Sequence, residues 1–355
     1  MALLHCPCGI DLHAHVVPEA FPAHLGSRAP AAWPSTAPAP TVGGLCHRHV
    51  LVGGKHYRTL DERSWSPSRR LADLPAMGLA AQVLSPMPEL LGYWLDLADA
   101  RPLIRFLNEH TAALCAEGGG RLLGLAAVPL QDMDAAIDEL RHAVQTLGLV
   151  GVEIGSNING VAIGDARFEP FFAACVALDV PVFVHALRPA GMERLVGPAP
   201  LQQVLAYPTD VGLAAASVIT GGLLQRLPGL RLGFSHGGGT LALLLPRLQQ
   251  GWGVFPALRD SIAESPLEQA RRLFFDTLVF DGPTLGHLLQ VFGLRQLMLG
   301  TDYPFNFHER APLARLEALD AAGLDAAGAR ALAYGNALRF LGRPLTLPEL
   351  ELEPA

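Results

Sequence analysis

Ile10-Asp11-Leu12-His13-Ala14-His15 alternates apolar residues with an acid and two histidines. In an extended strand, side chains two apart leave by the same face, so His13 and His15 project together about 7 Å apart along the strand. Two imidazoles at that spacing can grip one metal ion, provided other segments complete the coordination. Alone, the pair reads more readily as surface or satisfied core histidines, and its meaning depends on what answers it downstream.

Apolar, β-rich segments recur along the whole chain, at 9–16, 80–85, 122–129, 149–155, 181–186, 230–236, 273–278 and 296–301. Between several of them, 133–147, 167–178, 212–227 and 282–292 carry apolar residues at three-to-four spacing, the mark of a helix with one buried face. Strands that read as continuous apolar runs are covered on both faces. Eight strand–helix units predict an α/β fold, a (β/α)8 TIM barrel, as one domain over 1–355.

Residues 17–65 break the rhythm. Pro and Ala crowd 29–40, and then 46–52 and 55–60 flank Gly53-Gly54, a hairpin signal. The expectation is a small β-hairpin insertion after the first strand, lying over the barrel mouth. His47-Arg48-His49 repeats the His-x-His spacing there but reads as a solvated hairpin strand. The stretch 308–341 reads as helical and 342–355 as an extended arm.

The chain has 355 residues, 50% hydrophobic, 17% charged and 7% aromatic, enough for a large core. A net charge of −7 without a basic block argues against a nucleic-acid or acidic-membrane surface. No run reaches bilayer length, and the first residues lack the basic region and long apolar core of a secretion signal. Five scattered cysteines, Cys6, Cys8, Cys46, Cys115 and Cys175, fit a reduced, cytoplasmic protein.

The chemistry lies at strand ends. The fifth strand ends in His185, the sixth in His236 followed by Gly237-Gly238-Gly239, and the eighth in Asp302. In a barrel the C-terminal strand ends ring one cup, where the active sites of this fold are built. His13, His15, His185, His236 and Asp302 should therefore meet. Singly each has a plainer reading: a packing histidine, or for Asp302 a turn residue before Tyr303-Pro304. Nitrogen and carboxylate donors without thiolate suit Zn²⁺, although Mn²⁺ or Fe²⁺ would accept the same set. One of the five is expected to move protons rather than ligate. His236 is the choice, because the glycines after it let backbone and substrate approach.

With those motifs in place the chain resembles the amidohydrolase superfamily, in its aminocarboxymuconate-semialdehyde decarboxylase branch. The most specific stretches are Asp11–His15, Phe234-Ser235-His236-Gly237-Gly238-Gly239, Gly300-Thr301-Asp302-Tyr303-Pro304-Phe305 and Gly335-Asn336-Ala337. The resemblance implies a distorted TIM barrel and a metal-dependent, oxygen-independent decarboxylase, usually with Zn²⁺, cytoplasmic and homodimeric. It implies His13, His15, His185 and Asp302 as metal ligands and His236 as catalytic acid/base. It gives Arg58 and Arg247 the task of holding a substrate carboxylate, Arg247 reaching into the neighbouring subunit's site. Tyr93-Trp94 matches a family aromatic pair, so Trp94 is expected at the pocket wall.

The chain also departs from the family. There the histidine of the fifth strand is followed by proline and a site-lining tryptophan, whereas here Ala186-Leu187-Arg188 follows His185. Arg188 is expected to add positive charge, and the substrate's identity is put in doubt. The fourth strand carries Glu153 where two-metal relatives place a bridging lysine, so a single-metal site is expected, with Glu153 behind the ligands. The leading reading is non-oxidative loss of CO₂ from an unsaturated or aromatic small-molecule carboxylate. The same site could instead serve a hydrolase or hydratase, or a degenerate barrel that only binds a ligand.

Overall fold

The structure is a computed structural model that describes residues 8–352 except 28, 318, 320–323 and 348–349. Its strands, in chain order, are β1 (Gly9–Val16), β2 (Pro34–Val42), β3 (Leu45–Val52), β4 (Lys55–Asp61), β5 (Leu79–Pro86), β6 (Leu122–Ala126) and β7 (Gly151–Gly155). They continue with β8 (Asn157–Ile158), β9 (Val161–Ala162), β10 (Val182–His185), β11 (Leu232–Phe234), β12 (Phe274–Asp276), β13 (Leu297–Met298), β14 (Leu345–Leu347) and β15 (Leu350–Leu352).

Eight of these form one parallel sheet in the order β1-β5-β6-β7-β10-β11-β12-β13. The chain beyond β13 closes it against β1: Leu12 N–H donates to Leu299 O at 2.9 Å, Asp302 N–H to His13 O at 2.8 Å and His15 N–H to Tyr303 O at 2.7 Å. The result is the expected (β/α)8 barrel, with helices such as Met133–Gln145, Glu169–Ala177, Tyr207–Thr220 and Gly282–Phe292 between strands. Every residue of β1, β5, β7 and β10 is buried, because helices cover one face and barrel side chains fill the other. The eight barrel strands fall where the apolar runs lie; the shortest, β11, β12 and β13, occupy only the middle or start of their runs.

The insertion holds one strand more than the glycine-centred hairpin foretells. β2, β3 and β4 form a three-stranded antiparallel sheet with β3 in the middle. β2 carries Pro34, Pro38 and Pro40, and it can do so as an edge strand, where a missing N–H breaks no ladder. His47, Arg48 and His49 lie half-buried on β3, His49 Nδ1 being 2.8 Å from Thr59 Oγ1. In the C-terminal stretch, Pro312–Glu317 is one helix, and Ala326–Arg330, a π-helical Ala331–Gly335 and Asn336–Leu341 run on without a gap as another. The expected extended arm is instead a hairpin in which β14 pairs antiparallel with β15. Cys6 and the last three residues of that arm lie outside the described residues.

Candidate metal centre

His13 and His15 leave β1 by its inner face, and both are fully buried. His185 ends β10, and Asp302 lies just beyond β13. One donor atom from each of the four lies within 4.8 Å of every other, and the cluster is buried but for the half-buried Asp302. His15 Nε2 is 3.0 Å and His13 Nε2 3.4 Å from Asp302 Oδ1, and the two Nε2 atoms are 3.1 Å apart.

Each imidazole is fixed from behind. His13 Nδ1–H donates to Asp276 Oδ2 at 2.7 Å, and His185 Nδ1–H to Ala186 O at 2.8 Å. His15 Nδ1 is 3.2 Å from Ser85 Oγ, whose own proton goes to Glu153 Oε2 at 2.6 Å. The serine oxygen is then left to accept from His15. In all three rings Nδ1 therefore carries a proton, and Nε2 turns to the centre. Such outer partners set the tautomer of metal-binding histidines.

His185 Nε2 and Asp302 Oδ1 are buried, and among the described residues they have no hydrogen-bond partner. Buried polar atoms left so are costly unless something fills the place. Three imidazole nitrogens and a carboxylate oxygen fit a divalent cation, with no thiolate in the set. Burial opposes charge on both Asp302 and His13, but the attraction between the two at close range prevails. Asp302 is held well below the usual carboxylate range, and His13 is raised to about 10 with the further help of Asp276. A cation seated here would displace that proton, because an imidazole ligates only when neutral.

Asp276, at the end of β12, does more than orient His13. Its carboxylate also accepts from the backbone N–H of His236 (3.0 Å), Gly237 (2.7 Å) and Leu278 (3.0 Å). It thus pins the turn that carries His236, whose φ of 54° is strained for a non-glycine residue, as is the 64° of Asp302. Gly300 permits the arrangement: a Cβ there would stand 2.7 Å from Asp276 Cβ and 3.0 Å from His13 Cβ. Gly239 does likewise at the turn, where a Cβ would meet Pro208 O at 1.7 Å. Asp11 ties the two ligand-bearing segments together, accepting from His13 N–H and Thr301 N–H at 3.1 Å each and from Thr301 Oγ1–H at 2.6 Å.

His236 stands beside the cluster, its ring centroid 5.0 Å from that of His185 and 5.4 Å from that of His13. Burial, reinforced by the charge on His13, lowers its pKa to about 4, so at neutral pH the ring is uncharged and able to take a proton. Glu153 lies behind His15, linked to it through Ser85. Burial pushes it up to about 8, and its Oε1 has no partner among the described residues.

A cavity of about 290 Å³ opens beside these groups, lined by His185, His236 and Asp302 and also by Arg58, Glu89 and Tyr207, whose ring centroid is 6.3 Å from that of His185. Arg58 comes from β4 and is half-buried, its guanidinium 4.2 Å from the centre of the Phe305 ring. Trp94 and Arg188 are not among the lining residues: they face a second hollow with Asn157 and Asn159. After His185 the chain turns away, Arg188 adopting φ 44° and laying its guanidinium over the Trp94 ring, 3.2 Å from its centre. Arg247 is exposed on the helix Leu241–Val254 and lines neither hollow. Asp276 and Glu89 escaped the sequence reading. The signal for Asp276 was an acid within an apolar strand, at the same barrel end as His185 and His236. Glu89 offered only an acid interrupting an apolar run.

A family model described as amidohydrolase matches residues 10–343. The chain belongs to the amidohydrolase family. It is 34% identical over 334 residues to 2-amino-3-carboxymuconate-6-semialdehyde decarboxylase of Dictyostelium discoideum, an alignment covering 94% of this chain and 91% of that one. Among solved structures, the apo form of Metarhizium anisopliae IDCase superposes with a TM-score of 0.79 at 20% identity, covering 96% of this chain and 98% of the other. Dihydroxybenzoic acid decarboxylase of Polaromonas, solved with manganese and the inhibitor 2-nitroresorcinol, superposes at 0.67 with 21% identity, covering 79% and 87%. These two overlays bear on the fold.

Proposed function

We propose that the chain is a metal-dependent, non-oxidative decarboxylase of an unsaturated or aromatic carboxylate. The observation that carries this reading is the convergence of three Nε2 atoms and the Asp302 carboxylate beside a neutral His236, at the wall of a carboxylate-sized cavity. The curated relative covering 94% of the chain is itself named a decarboxylase.

His13, His15, His185 and Asp302 are the ligands, and Zn²⁺ is the ion that the thiolate-free set suits, with Mn²⁺ and Fe²⁺ as competitors. Once bound, the cation supplies positive charge that orients substrate oxygens and acidifies water. Arg58, with its planar guanidinium at the cavity wall, holds the carboxylate end of the substrate. His236, uncharged at rest, takes a proton from water in the cavity and passes it to the carbon bearing the departing carboxylate. That carbon becomes tetrahedral before the C–C bond breaks. The bond's electrons return to the unsaturated framework, CO₂ leaves, and hydrogen stands in its place. Burial of the cup keeps bulk water from competing for the proton.

The protein works in the cytoplasm as a homodimer. Among the described residues no helix is long and apolar enough to cross a membrane, and Cys46, Cys115 and Cys175 are free thiols. Leu243 is 74% exposed and stands one turn before Arg247 on the same helix face, with Val254 and Phe255 exposed beyond. Covering that face with a second copy would carry Arg247 towards the partner's cavity.

The test is product analysis on a panel of unsaturated and aromatic carboxylates with metal-loaded protein. Stoichiometric CO₂ and the corresponding decarboxylated product are expected. A ring-opened or hydrated product without CO₂ would make the protein a hydrolase or hydratase.

A further inference from the structure

The lining of the cavity also contains a carboxylate that the reaction does not use. Glu89 follows β5 and is half-buried. Its Oε1 accepts two phenol hydroxyls, from Tyr57 at 2.5 Å and from Tyr207 at 2.8 Å. Burial and the charge on Glu89 both push those phenols upward, so each remains a protonated donor. Oε1 is thereby saturated. Oε2 has no hydrogen-bond partner among the described residues and is buried, on a residue that lines the cavity beside Arg58 and Tyr207. Arg58 does not satisfy it: the two charges feel one another, but among the described residues no ion pair joins them. A buried, charged acceptor fixed on one oxygen and bare on the other calls for a donor from whatever fills the space.

We propose that Glu89, held by Tyr57 and Tyr207, is a specificity-determining residue that selects substrates carrying a hydrogen-bond donor where they meet its free oxygen: an amino, ring N–H or hydroxyl group. This rests on reading the cavity as the substrate site. Arg58 and Glu89 then give the wall one cationic and one anionic contact, which suits a carboxylate substrate with a donor substituent. A second carboxylate at the Glu89 end would meet a like charge with no proton between them. A methoxy group there would leave Oε2 unpaired, and sites built to hydrogen-bond a substrate reject analogues lacking the donor.

The two tyrosines also fix the sign of the test. In Glu89→Gln both hydroxyls would still donate to the amide oxygen, which turns the amide NH₂ towards the cavity. The site would then offer a donor where the native protein offers an acceptor. The probes are benzoates that carry hydroxyl, amino, methoxy or a second carboxylate at each ring position, titrated calorimetrically into metal-loaded protein.

Native protein should bind hydroxyl and amino compounds ~10- to 100-fold more tightly than methoxy and dicarboxylate ones at one ring position. Glu89→Gln should reverse that order, a change that mere loosening of the fold would not produce. Tyr57→Phe, on the exposed face of the inserted sheet, should fold regardless and reduce the preference by ~3- to 10-fold. Equal binding of donor and methoxy compounds at every position, or an unchanged order in both variants, would overturn the assignment. Released CO₂ is measured in parallel. CO₂ from the panel with no donor preference removes only the role of Glu89, whereas a donor preference with hydrated or ring-opened products removes only the decarboxylase reading.

Discussion

The two walls of the cavity are built differently. The metal side is made of strand ends from the barrel itself: His13 and His15 on β1, His185 on β10, and Asp302 beyond β13. Each is held by a buried partner, and Asp276 alone binds both the His13 ring and the His236 turn. The other side is borrowed from outside the barrel sheet. Arg58 and Tyr57 come from the inserted sheet, Glu89 from the chain after β5, and Tyr207 from the start of a helix. Arg58 and Glu89 are half-buried and Tyr57 is exposed. In the proposed reading, reaction type rests on strand ends of the barrel and substrate choice on elements attached to it.

That contrast predicts a gradient of effects. His236→Ala should keep one metal ion per chain and lose ~10²- to 10⁴-fold in kcat, measured as CO₂ release beside metal content by mass spectrometry. A variant that keeps full turnover would remove His236 from the proton path. Asp276→Asn should weaken metal affinity ~10- to 100-fold, since it unsettles the His13 tautomer and turns an amide N–H against a backbone N–H. A competing chelator titration reads it. On the other wall, Arg58→Ala should raise KM ~10-fold or more while kcat stays within ~3-fold. If kcat collapsed while KM held, the two walls would not divide the work as described.

The smallest effect concerns stability. Glu153 has a folded-state pKa of about 8 against 4.5 for the ordinary carboxyl, because burial disfavours its charge. Between those values the native chain binds a proton that the unfolded chain has lost, so stability is full below about pH 4.5 and falls as pH rises towards 8. The slope approaches ~1.4 kcal/mol per pH unit. Glu153→Gln should flatten that part of the profile, followed as Tm of chelator-treated protein from pH 5 to 8. An unchanged slope would mean the carboxyl is charged in its pocket.

Much of the metal side was legible in the sequence, and little of the other. Strands covered on both faces must be apolar throughout, so β1, β10 and the chain before Asp302 announce themselves, and their polar ends stand out. Asp276 is as central, but a single acid in an apolar strand lacks the paired spacing of His13 and His15. β2 was hidden by its prolines, which signal a loop except at a sheet edge. Arg58 was reached by resemblance alone. Glu89, Tyr57 and Tyr207 share no periodicity, and their meeting is a fact of tertiary packing. Trp94 and Arg188 were expected at the substrate, and the turn after His185 lays Arg188 over Trp94 beside a second hollow.

The most direct test of the account is anomalous scattering from crystals of the metal-loaded protein, collected on both sides of the metal's absorption edge. The account predicts one peak per chain, within bonding distance of Nε2 of His13, His15 and His185 and of an Asp302 carboxylate oxygen. A peak elsewhere, or none after metal reconstitution with those four side chains in place, would contradict it.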